Sequence, residues 1–209
     1  MTQNHFHAHD QINTINPKYH VIVPKYQSRE FDDDWRNWLR SMNEKLPAKT
    51  ILFFGRNTRY LVEELGLFND RVYYIEAGRS LLVDNAPVDL CRNIMEVPTV
   101  LTQCLAIAVY MGFKEIFLLG FDLDQNIRCV DRDNVRFYGN SPITANNAEI
   151  NAEETSSSNG MDWFTMWMIW QQCLLLRKEA EKRGISIFNA TRGGLLTVFP
   201  RRIYEEIIP

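Results

Sequence analysis

Cysteine is sparse and unpaired in this chain: Cys91, Cys104, Cys129 and Cys173 are widely spaced over 209 residues, with no C-x-x-C motif. That spacing argues against a zinc knuckle or a disulfide framework and fits a reducing compartment. Long apolar runs are lacking too. The longest, Trp163 to Leu176, is interrupted by Thr165, Gln171 and Gln172, whereas a membrane-spanning helix needs about 20 consecutive apolar residues. The first residues are polar and His-rich, without an apolar signal core. A net charge of -3 supplies no broad basic field and so excludes a general nucleic-acid binder. A glycine-rich phosphate turn is lacking: Gly55-Arg56-Asn57-Thr58 follows a β-rich run but is without the several glycines of a dinucleotide or P-loop turn. Histidine is confined to His5, His7, His9 and His20. No internal repeat or heptad run is visible. These absences together predict a soluble, cytoplasmic protein, at most peripheral to the inner membrane.

What is present is an ordinary globular composition, 45% apolar and 23% charged. The length suits one domain over 1–209. Short β-rich runs alternate with helical ones. Strands are expected at Tyr19 to Val23, Thr50 to Phe54, Val72 to Ile75, Glu115 to Leu119 and Ile185 to Phe188. Helices are expected at Phe31 to Leu46, Arg59 to Leu65, Pro98 to Met111, Asp162 to Arg183 and Pro200 to Ile207. Asp32, Asp33 and Asp34 fall in a first turn, where the helix dipole favours acids, and Pro98 stands where proline opens helices. The alternation predicts an α/β fold with a mainly parallel sheet and helices on both faces. Ile116 to Leu119 and Ile185 to Phe188 would be its inner strands, buried on both sides. The polar stretch 123–160 has no period and reads as a lid or flexible excursion.

The segment Gly112 to Asp124 reads as a helix end, a turn, a buried strand and an acidic pair. In open α/β sheets, ligands bind in the crevice beyond the strands' carboxyl ends. Asp122 and Asp124 are therefore catalytic candidates, the alternative being that Asp122 caps a turn. In an extended segment both carboxylates would share one face. Asp-x-Asp is weak evidence for Mg²⁺, and no metal ligands are assigned.

Gly112 to Asp122, Arg136-Phe137-Tyr138, Ile187-Phe188-Asn189-Ala190-Thr191-Arg192-Gly193-Gly194 and Phe199-Pro200-Arg201 together resemble a bacterial surface-polysaccharide family. It is similar to the sialyltransferases of glycosyltransferase family 42, and to the domain of flagellin motility-accessory factors and hydroxymethylpterin pyrophosphokinases. The resemblance implies a single Rossmann-like domain with a lid over its donor. It also implies transfer of a sialic-acid-type sugar from a CMP-activated donor to a glycan acceptor. Asn4, in Asn4-His5-Phe6, resembles an asparagine that contacts the nucleotide. Asn4, Thr99, Arg136, Tyr138, Asn189, Thr191 and Arg192 are the candidate binding residues. Arg136 and Tyr138 can donate to phosphate oxygens, the alternative being a solvated loop arginine and a packed tyrosine. Asn189, Thr191 and Arg192 leave the last strand at the sheet edge of Asp122, the alternative being a plain strand-to-helix turn. The family's Gly-Asn-Gly-Pro-Ser phosphate turn is missing, and Leu123 and Arg136 stand where relatives place histidines. A truncated or degenerate member, or a non-catalytic sugar-nucleotide or glycan-binding partner in polysaccharide assembly, is the alternative. A pterin pyrophosphokinase is a distant third.

Two further clusters stand out. His5, His7 and His9 alternate, so a strand would align them as metal ligands, whereas a mobile terminus would leave them without a role. Trp163, Met166, Trp167 and Trp170 recur at helical spacing, either as core or as an interface for a second copy or an assembly partner.

Overall fold

The structure, a computed structural model, describes residues 1–76, 88–92, 99–124 and 158–207. These residues fall into two compact units, the first made of 1–76 and the second of the remainder. Both are mixed α/β with parallel strands.

The first unit carries a four-stranded parallel sheet in chain order, β1 (Thr2–Gln3), β2 (Tyr19–Val21), β3 (Ile51–Gly55) and β4 (Val72–Ile75). Its helices are α1 (Ile12–Ile15), α2 (Asp32–Lys45) and α3 (Arg59–Leu65). Leu52 and Phe54, two apart on β3, share a face and bury it against Trp35, Leu39 and Met42 of α2 and Leu61 of α3. Those α2 residues recur at i, i+4 and i+7, the stripe an amphipathic helix turns to a core. α3 stops at Gly66, whose φ of +60° is the left-handed cap that glycine takes without strain. On the opposite face Phe53 stacks on Tyr73 at 5.7 Å between ring centroids and lies 6.2 Å from Tyr19.

The N-terminus corrects the expectation of a mobile tail or a histidine-lined strand. Thr2 and Gln3 pair with His20 and Val21. The chain then winds into a 3-10 helix, Asn4–Ala8, that buries His5 and His7. Winding replaces the alternation that would have put the three histidines on one face.

The second unit contains α4 (Val100–Tyr110), β5 (Glu115–Leu118), α5 (Ser158–Lys182) and β6 (Ser186–Asn189). β5 and β6 pair in parallel, Glu115 opposite Ser186 and Leu118 opposite Asn189. Ile116, Leu118 and Ile187 pack with Leu105 and Val109 of α4 and Ile169, Cys173 and Leu176 of α5. The other face departs from the expected double burial: Phe117 and Leu119 are 36% and 54% exposed. β5 and β6 each have one paired neighbour among the described residues, and in each unit the described helices pack on one face of the sheet.

The helix expected from Pro200 to Ile207 does not form. Asn189 N–H donates to the Pro200 carbonyl at 2.8 Å and Arg202 N–H to the Asn189 carbonyl at 3.1 Å, which draws the segment alongside β6 as an isolated bridge. Only Tyr204–Glu206 winds, as a 3-10 turn. Of the expected lid, 125–157 lies outside the described residues.

Candidate functional site

The site is built where β5 and β6 end. β5 leaves through Gly120, at φ +71°, and turns again at Leu123, at φ +54°. A left-handed leucine is uncommon, and it corrects the extended geometry read for Asp122-Leu123-Asp124: the chain turns between the two carboxylates, so they do not alternate onto one face. Asp122 Oδ1 accepts the Leu123 N–H at 2.9 Å, and the Asp122 carbonyl accepts the Leu195 N–H at 2.6 Å. Asp122 and Asp124 are half-buried.

β6 ends in a knot. Asn189 is fully buried. Its amide donates to the carbonyls of Phe121 at 3.4 Å and Leu196 at 3.2 Å, and its Oδ1 accepts the Thr191 N–H at 3.0 Å. Thr191 Oγ1 accepts the Phe121 N–H at 2.9 Å, tying the β5 and β6 exits together. Gly194 sits at φ +80°, pressed against Asp122 so closely that a Cβ would collide with the Asp122 backbone. Arg201 closes the knot by donating to the carbonyls of Thr191, Gly193, Gly194 and Leu196.

Beyond this knot lies an open cleft of about 800 Å³. Leu119 and Gly120 line it from just past β5, Thr191, Arg192 and Gly193 from just past β6, and Arg202, Tyr204 and Glu205 from the closing segment. The guanidinium groups of Arg192 and Arg202 have no hydrogen-bonded or ion-paired partner among the described residues, and that of Arg202 lies over the Phe188 ring, 4.9 Å from its centroid. The cleft can therefore hold an anion at the carboxyl ends of two adjacent parallel strands.

The residues read from sequence sort unevenly around it. Thr191 and Arg192 line the cleft; Asn189 and Asp122 support its walls without lining it. Thr99 caps α4, its Oγ1 accepting the Leu101 N–H at 3.4 Å. Asn4 belongs to the first unit, where its Oδ1 accepts the Val23 N–H at 3.2 Å. Arg136 and Tyr138 lie outside the described residues. Arg202 and Tyr204 escaped sequence reading; the doubled arginine after Phe199-Pro200 was the available signal.

Two polar clusters in the first unit are enclosed. Lys25 Nζ meets Asp32 Oδ1 at 2.9 Å and the carbonyls of Gln27 and Ser28 at 2.8 and 2.9 Å, which occupies all three ammonium hydrogens. Tyr60 donates to the same Asp32 oxygen at 2.6 Å. Burial pushes the Asp32 carboxyl up, but the hydrogen bonds from Tyr60 and Lys25 outweigh it and hold the group below the ordinary carboxylate value. The His7 ring lies 6.3 Å, centroid to centroid, from the rings of both His20 and Trp38. Burial lowers both, His20 to about 3. Among the described residues, no group of three His, Cys, Asp or Glu side chains could hold a metal ion.

On α5, Trp163 and Trp167 are 54% and 46% exposed while Met166 is buried, so the aromatic cluster divides between surface and core. Among the described residues, no helix is long and apolar enough to cross a membrane. Comparison of the chain with protein-family models, curated proteins and solved structures gives no match.

Proposed function

We propose that this protein is glycosyltransferase-like and binds a CMP-activated, sialic-acid-type sugar in the cleft beyond β5 and β6, for glycan or surface-polysaccharide assembly. The observation that carries the reading is the pair of unpartnered guanidinium groups, Arg192 and Arg202, in an open cleft at adjacent strand ends. A nucleotide phosphate is the ligand such cations recognise best, because a guanidinium fork donates to two oxygens at once. Tyr204 offers a ring and a hydroxyl at the same wall. The cytidine and the sugar come from the sequence resemblance alone. Titration calorimetry with CMP, CDP, UMP and GDP tests the assignment: CMP should bind, and a purine nucleotide binding as tightly would remove cytidine from it.

A non-catalytic sugar-nucleotide-binding role has one specific observation in its favour. The carboxylate read as the base, Asp122, bonds within its own turn and does not line the cleft. Asp122→Asn separates the two readings in a donor-hydrolysis assay. A general base should cost turnover about a hundredfold to ten-thousandfold. A wild-type protein that binds CMP but turns over no donor is the binding partner.

A further inference from the structure

Arg201 and Arg202 are neighbours in sequence with opposite employment. Arg201 has four carbonyl acceptors for its five donors, so its hydrogen-bonding capacity is nearly full. By gathering the carbonyls of Thr191, Gly193, Gly194 and Leu196, it covers the negative ends of the turn that forms one wall of the cleft. In a planar trans peptide the N–H points opposite to the C=O. The N–H groups of Arg192 and Gly194 share peptides with the Thr191 and Gly193 carbonyls, so they face away from Arg201. Neither has an acceptor among the described residues. Two donors of the turn, the Arg192 and Gly194 N–H groups, are thus left unpaired while four of its carbonyls are covered, a local polarity that suits an anion.

Arg202 is held without being filled. Its backbone N–H anchors to Asn189, and its guanidinium lies 4.9 Å over the Phe188 ring. Phe188 in turn stacks on Phe117 at 5.4 Å and 20°. A contact of the cation with a ring face uses none of the in-plane acceptor capacity that the guanidinium N–H groups require. No hydrogen bond or ion pair takes up the Arg202 guanidinium N–H groups among the described residues. Glu205 is the one carboxylate among the described residues that line the cleft, against Arg192, Arg201 and Arg202, so the cleft keeps a positive excess.

We propose that Arg202, stacked on Phe188, and Arg192 form a phosphate seat in this cleft, Arg202 being the binding residue and Arg201 the brace that shapes the turn. The seat takes a phosphate-type oxyanion, whether carried by a nucleotide or free; that the carrier is CMP rests on the function proposed above. It makes Arg202 a specificity-determining residue that favours phosphorylated over neutral nucleosides.

The test compares wild type with Arg202→Ala, Arg202→Lys, Phe188→Leu and Arg201→Ala by calorimetry and thermal melts, using CMP, cytidine and inorganic phosphate as probes. Wild type should bind CMP and inorganic phosphate more tightly than it binds cytidine. Arg202→Ala should weaken CMP and phosphate binding about tenfold or more with an unchanged melting temperature. Arg202→Lys should recover part of it, since it restores the charge but not the fork. Phe188→Leu should weaken binding although Arg202 remains. Arg201→Ala should lower the melting temperature. CMP bound as tightly by Arg202→Ala as by wild type would overturn the seat and leave the CMP reading standing. Inorganic phosphate binding that depends on Arg202, with CMP binding no tighter than phosphate, would support the seat and overturn the CMP reading. Wild type binding neither phosphate nor CMP would overturn both.

Discussion

The two units handle polar groups at their strand ends differently. In the first unit, Lys25, Asp32, Tyr60 and Asn57 lie beyond β2 and β3 and close on one another: the ammonium has three acceptors, and the Asn57 side-chain amide accepts the Lys25 backbone N–H and donates to the Lys25 carbonyl. In the second, Asn189, Thr191 and Arg201 close the knot, yet Arg192 and Arg202 remain open at its rim. Burial and charge alone would favour the first cluster as a site. What separates them is unused hydrogen-bonding capacity, since a ligand needs donors that the protein has not already satisfied.

The largest effect should come from breaking the closed cluster. Lys25→Met leaves the Asp32 carboxylate buried beside Tyr60 alone, and loss of one partner of a buried pair costs about 3–5 kcal/mol. Urea titration should show that loss; one below 1 kcal/mol would mean the pair is not closed as described. Next is the knot of the open site. Gly194→Ala forces a side chain into the left-handed region, at about 1–2 kcal/mol, and against the Asp122 backbone, which cannot yield as a side-chain tip could. It should lower stability and weaken CMP binding together. Lost stability with CMP binding unchanged would separate the knot from the cleft.

Acid should then act on the first unit before the second. All four histidines lie in the first twenty residues, and burial depresses His7 and His20. A depressed pKa means the unfolded state binds the proton first, so the stability is complete above the ordinary histidine value of about 6.5. It is lost as pH falls from there toward about 3, the folded value of His20. The slope from His20 alone is about 1.4 kcal/mol per pH unit. Hydrogen exchange at pH 7 and pH 4.5 should show protection lost in β1 and β2 ahead of β5 and β6. Equal loss in both would contradict the assignment. The smallest effect is on stability in Asp122→Asn. The amide keeps an oxygen for the Leu123 N–H, so the melting free energy should shift by less than about 0.5 kcal/mol; a larger fall would make the charge itself structural.

Long periodic elements were legible in the sequence, and the span Arg59–Leu65 and the strand Val72–Ile75 match the expected bounds. β1 was not, because two residues carry no period and its pairing with His20 and Val21 is set by tertiary contact. Of the site, Thr191 and Arg192 were legible as polar residues leaving an apolar strand. Asn189 looks the same in sequence whether it contacts a ligand or ties loops. The difference lies with Phe121 and Leu196, whose carbonyls occupy its amide. Arg202 was hidden for the related reason that nothing local distinguishes it from Arg201. Their roles depend on Phe188 for one and the Thr191–Leu196 carbonyls for the other.

The most direct test of the open site is a hydrogen-exchange footprint with and without saturating CMP. Protection is expected at Leu119–Gly120, Thr191–Gly194 and Arg202–Glu205, and should be reduced in Arg202→Ala. Protection confined to Lys25–Asp34 of the first unit would contradict it, as would an unchanged exchange pattern under saturation.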